Sequence, residues 1–125
     1  MIMAVAGRRV DAANSEFPRF PLRNVGLVRR RVRAIFESNG VEVVVSSAAC
    51  GADLIALSEA RALGLRRRIV LPFSRSKFRD TSVIDRPGNW GPIYDEIVNE
   101  AEAADDLVVL DEATNDRAYQ IVNRV

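Results

Sequence analysis

Phosphate recognition needs donors that a ligand oxygen can reach, and residues 41–64, VEVVVSSAACGADLIALSEARALG, offer a compact candidate. A β-branched run passes through a turn of small residues straight into an Ala/Leu-rich helix that Gly64 can end. Amides at a helix start lack intrahelical partners and sit at the positive end of its dipole, which favours anions. Ser46 and Ser47 add hydroxyls there, Gly51 permits close approach, and Ala52 brings little bulk to obstruct the backbone. The serines would serve equally as helix caps. Asp53 falls in the first turn of the helix. It suits hydrogen bonds from a sugar or base, or simply the helix dipole, an effect of about 0.3–1 kcal/mol. No lysine follows the glycine as in a Walker loop, and no three spaced glycines mark a dinucleotide site, so neither an ATPase nor a dehydrogenase is supported.

A second set of candidates follows the first apolar run. Gly7, Arg8, Arg9 and Asp11 stand where a strand would end, and the two arginines suit bidentate contact with phosphate. Arg19 and Arg23 could close over the same place from the loop that follows. Phe17, Phe20, Phe73 and Phe78 all lie in connections, where they would stack on a base or pack a loop onto the core. Cys50 precedes a helix start, where thiol pKa values fall, but without a base nearby it reads as a small packing residue. Cleavage of an N-glycosidic bond would call on carboxylates such as Asp11, Asp53, Glu59, Asp111 or Glu112, and no spaced pair among them singles itself out.

These residues are brought together by an alternation of strands and helices. Residues 2–6 form an apolar run that reads as a buried parallel strand. A loop over 12–23 holds two prolines, which exclude a regular helix or central strand. A helix over 24–38 has Val25, Val28, Val32, Ile35 and Phe36 on one stripe, with Asn24 as its cap. Strands follow at 41–45, 67–71 and 106–110, and helices at 51–63, 92–104 and 115–125. Residues 73–88 read as irregular, with a helical turn around 76–79. The pattern predicts a Rossmann-like α/β domain, a three-layer αβα sandwich around a mainly parallel sheet of four or five strands. Ligands in such folds bind beyond the carboxyl ends of the strands, at the switch point in strand order. Residues 7–11, 46–53, 72–78 and 111–114 converge on that edge.

Composition narrows the function classes. A chain of 125 residues suits one domain. Eighteen basic residues against seventeen acidic ones give a net charge of +1, which argues against a general nucleic-acid or membrane-surface binder. The arginine blocks at 29–33 and 66–68 read as solvated faces. With no histidine, His-based triads and nearly all zinc sites are excluded, and no cofactor is implied. One cysteine fits a reducing cytoplasm, and no apolar run approaches the roughly 20 residues that span a bilayer.

Gly7-Arg8-Arg9-x-Asp11, Arg19-Phe20-Pro21, Ser47-Ala-Ala-Cys-Gly51-Ala52-Asp53 and Leu71-Pro72-Phe73 with Phe78 together resemble the SLOG superfamily. That superfamily gathers the Lonely Guy phosphoribohydrolases, the Smf-type DNA-processing proteins and many nucleotide sensors. The resemblance covers most of the chain. It implies a pocket for a nucleotide or nucleotide-derived ligand, with Gly7 and Arg8 matching the first turn and Gly51 and Asp53 the second. The Pro-Gly-Gly-x-Gly-Thr-x-x-Glu segment of the Lonely Guy enzymes has no counterpart here, where Asp111-Glu112-Ala113-Thr114 follows the fourth strand. Related chains often continue with further strands, so this one could be part of a longer protein. The expectation is a binding or sensor domain whose site draws on Gly7, Arg8, Arg9, Asp11, Arg19, Ser46, Ser47, Gly51, Ala52, Asp53, Phe73 and Asp111. A nucleotide-like small molecule is the expected partner, with a homodimer left open. The alternatives are an N-glycosidic hydrolase or transferase and a ligand-free interaction scaffold built on the 24–38 helix.

Overall fold

A computed structural model describes residues 1–110. Four parallel strands, β1 (Ile2–Val5), β2 (Val43–Ser46), β3 (Arg66–Leu71) and β4 (Leu107–Val109), lie in the order β1-β2-β3-β4. The register pairs Ile2 with Val43, Val43 with Arg66, and Ile69 with Leu107. Between the strands come α1 (Val25–Ser38), α2 (Ala52–Ala62), and the pair α3 (Arg75–Ser82) and α4 (Trp90–Ala103). The parallel α/β architecture expected from the sequence is therefore present. No helix among the described residues is long and apolar enough to cross a membrane.

Each crossover steps the same way along the sheet, and right-handed connections that do so put their helices on one face. Accordingly α2 packs against α1 on one side and α4 on the other. Alternation along the strands matches: Val44, Ser46, Ile69 and Leu71 are buried, whereas Ile2, Ala4, Arg66 and Arg68 on the opposite face are exposed. The core joins those inward positions to Leu54, Ile55 and Leu57 of α2 and to Tyr94, Ile97 and Val98 of α4. The order contains no reversal among the described strands, so no switch point marks the ligand edge. The helix expected over 115–125 lies outside the described residues.

Several local expectations need correction. The apolar run at 2–6 is no buried strand: β1 is an edge with Ile2 70% exposed, because β2 is its one described neighbour. Residues 75–82 form a full helix where an irregular segment was expected. Ser74 caps it by accepting the Lys77 N–H at 3.3 Å, and Phe78 and Ser82 are its buried positions. Such a short polar helix carries too few apolar residues for its period to stand out. Asn24 makes no side-chain cap; a single 3-10 turn over Leu22–Asn24 leads into α1 instead. The arginine block at 29–33 is divided in its use. Arg29 and Arg33 reach Glu59 of α2 at 3.2 and 3.3 Å and join the two helices, while Arg30 and Arg31 face solvent.

Candidate functional site

Two turns meet at the carboxyl edge of the sheet. After β1 the chain runs Ala6-Gly7-Arg8-Arg9-Val10, and after β2 it runs Ser47-Ala48-Ala49-Cys50-Gly51 into α2. They are in backbone contact. A Cβ on Gly7 would lie 2.2 Å from Cβ of Ala52, and one on Gly51 would lie 2.7 Å from the Arg8 carbonyl oxygen and 2.8 Å from Arg9 Cα. Gly51 also holds φ at +108°, a conformation closed to most side chains. Both glycines are thus required by the close approach of one turn to the other. Ala48 adopts φ +66° while fully buried, a left-handed alanine that the surrounding packing must hold in place.

Hydrogen bonds fasten the turns. Ala52 N–H donates to the Arg8 carbonyl at 3.0 Å and Cys50 N–H to the Ser82 carbonyl at 3.0 Å. Two of the amides expected to be bare at the start of α2 are therefore already engaged within the protein. Asp53 is the centre of the arrangement. Its carboxylate accepts the Gly7 N–H at 3.1 Å and the Ser47 hydroxyl at 3.0 Å, so it links β1, β2 and α2 through one side chain. Burial pushes its pKa above the usual carboxylate value, against the lowering effect of the Gly7 and Ser47 hydrogen bonds. Ser46 donates to the Val5 carbonyl at 3.0 Å, across the β1–β2 junction. Neither serine caps α2.

These groups border a cleft of about 190 Å³. Gly7, Arg9, Ser46, Ser47 and Asp53 line it, with Val45 and Val70 of the sheet and Phe78 and Ser82 of α3. Its chemistry is an apolar wall facing a carboxylate, three serine hydroxyls and a guanidinium. Sites that engulf a drug-sized ligand run to about 300–1,000 Å³, so this cleft has room for only part of such a molecule.

The other sequence-predicted residues fall around the cleft. Arg8 lies beside it, exposed and without an ion-pair partner among the described residues. Gly51 and Ala52 are behind the wall, pressed against the β1 turn. Asp11 is turned away: its carboxylate accepts the Arg19 N–H at 2.9 Å and the Phe20 N–H at 3.0 Å, tying the proline-containing loop back on itself. That leaves the Arg19 side chain in solvent. Phe73 is buried against Phe78, ring centroids 6.0 Å apart, and Phe78 is the aromatic that reaches the cleft. Asp111 lies outside the described residues. Cys50 is a buried packing residue as expected, its thiol pKa raised by burial and opposed by Arg9, whose Nη2 lies 3.5 Å from the sulfur.

Sequence reasoning missed Asp85, whose carboxylate pairs with the Arg9 guanidinium, and Ser82, which enters the cleft wall. Both depend on α3, and the cap at Ser74 was the signal that would have placed it. Among the described residues no group of Cys, Asp and Glu is arranged to hold a metal ion. Compared with protein-family models, with curated proteins and with solved structures, the chain matches none. Fold and site together define a parallel α/β domain with a small carboxylate-bearing cleft at the carboxyl edge of its sheet.

Proposed function

We propose that this domain binds a nucleotide or nucleotide-derived small molecule in the cleft between the Gly7 and Ser47 turns, as a sensor or recognition module of the SLOG type. The observation that carries the reading is Asp53: a buried carboxylate, oriented by the Gly7 amide and the Ser47 hydroxyl, lining a small cleft. A carboxylate accepts hydrogen bonds from sugar hydroxyls or base N–H groups and repels phosphate, so the sugar or base belongs beside Asp53. The phosphate then belongs with the arginines, Arg9 in the wall and Arg8 beside it. The resemblance of the Gly7–Asp11 and Ser47–Asp53 segments to SLOG proteins supports the same assignment.

A thermal-shift screen against nucleoside mono-, di- and triphosphates and cyclic nucleotides tests this directly, since a ligand that binds only the folded state raises its melting temperature. A hit that disappears in Asp53→Asn is the expected result. No hit across the set would overturn it. The raised pKa of Asp53 favours one second reading, a hydrolase in which that carboxyl protonates a departing base. Release of free base from a nucleoside monophosphate distinguishes it.

A further inference from the structure

Arg9 is the cation of the cleft wall, yet its guanidinium is engaged by the chain's own Asp85, from the loop after α3. The pairing is incomplete. Arg9 Nη2 serves both Asp85 and the Cys50 sulfur, while Arg9 Nε is buried and has no hydrogen-bond partner among the described residues. A second arginine accompanies the pair. Arg86 Nε stands 3.8 Å from Asp85, and its Nη1 donates to the Val10 carbonyl at 3.1 Å, beside the β1 turn. A carboxylate held between two arginines, one of them lining a cleft with an unused buried donor, stands where an anion of higher charge would bind better.

We infer that Asp85 is a tethered competitor at an anion subsite made by Arg9 and Arg86, and that a phosphate group of the ligand displaces it. This rests on the proposed nucleotide reading and adds to it the group that must leave when ligand arrives. A phosphate monoester carries more charge than a carboxylate and more acceptor oxygens, enough to take Arg9 Nε together with Nη2 in bidentate fashion. Released from Arg9, the loop carrying Asp85 loses one of its two side-chain ties to the β1 turn, the Arg86–Val10 hydrogen bond being the other. A reporter stands where that loop enters α4. Trp90, the single tryptophan of the chain, is buried and donates its indole N–H to the Pro87 carbonyl at 2.7 Å.

The test is calorimetric titration of AMP and of inorganic pyrophosphate into the wild-type chain and Asp85→Asn, with Trp90 emission followed in parallel. A competitor that holds Arg9 about nine-tenths of the time weakens an outside anion about tenfold, so Asp85→Asn is expected to bind about tenfold more tightly. AMP is expected to shift Trp90 emission in the wild type and to have little effect in the variant, whose loop has already lost its tie to Arg9. Equal affinities in the two proteins, or wild-type binding with unchanged Trp90 emission, would overturn the inference and leave the proposed function standing. Heat from neither ligand with either protein would overturn the inference, and the thermal-shift screen across the nucleotide set decides the proposed function separately. Should Asp85→Asn fail to fold, judged by circular dichroism, the wild-type emission measurement decides the matter alone.

Discussion

Replacing Asp53 by asparagine separates a ligand-contacting carboxylate from one that merely favours the start of α2. Asparagine keeps the shape. Its Oδ1 can still accept the Gly7 N–H, now at 3.1 Å, and its amide can donate to the Ser47 hydroxyl, which rotates to accept. Stability at neutral pH should therefore change by no more than about 1 kcal/mol, where alanine would strip both partners and cost about 1–3 kcal/mol. The pH dependence has a definite sign. Burial raises the folded-state pKa of Asp53 above its unfolded value, so the native state holds the proton more tightly. Its contribution to stability is complete below the ordinary carboxylate value and is lost as pH rises through the folded pKa. Asparagine has no such proton, so the variant should gain on the wild type between acid and neutral pH. Urea unfolding followed by Trp90 emission, repeated across that range, reads the difference. Nucleotide affinity should fall about ten- to a hundredfold, the equivalent of one charge-assisted hydrogen bond of about 1.5–3 kcal/mol. A variant that binds as the wild type does but loses several kcal/mol of stability would refute the reasoning, as would a wild type that gains on asparagine with rising pH.

Other positions give sharp expectations. Gly51→Ala must place a methyl 2.7–2.8 Å from the backbone of Arg8, Arg9 and Val10 at φ +108°, and should cost about 3 kcal/mol or more in chemical denaturation. Removing Arg29 and Arg33 together strands Glu59, only 4% exposed, and should cost about 3–5 kcal/mol; Glu59→Gln, which removes the buried charge itself, should cost clearly less in the same assay. Burial pushes the Tyr94 hydroxyl up to about 12, and it donates to the Arg75 carbonyl at 2.8 Å. Stability from that tyrosine is intact below about pH 10, its ordinary value, and is lost as pH rises through about 12. Ultraviolet titration of Tyr94→Phe against the wild type should remove the late-ionising tyrosine.

The alternation of strands and helices was legible because Val-rich runs stand out as short apolar stretches and the apolar stripe of α1 carries a 3.6-residue signal, while α2, buried almost all round, was read from its Ala/Leu-rich composition. The meeting of the Gly7 and Ser47 turns was legible for the same reason: parallel strands deliver both to one edge. Pair geometry was not legible. Whether Asp11 faced the cleft or its own loop depended on backbone amides of Arg19 and Phe20, which no spacing rule locates. The two unengaged-looking amides of Cys50 and Ala52 found carbonyl partners from Ser82 and Arg8, residues remote in sequence. Strand position also escaped the reading, because an apolar edge strand and a central one look alike until the order is known. Asp85 and Arg9 are 76 positions apart, and their pairing required the placement of α3.

The most direct test is the amide NMR spectrum of the isotope-labelled chain during titration with AMP. The account predicts progressive shifts at Gly7, Ser46, Ser47, Ala49 and Asp53, around the cleft, with the outer positions of α1 unmoved. Shifts confined to α1, or none at millimolar nucleotide, would contradict it.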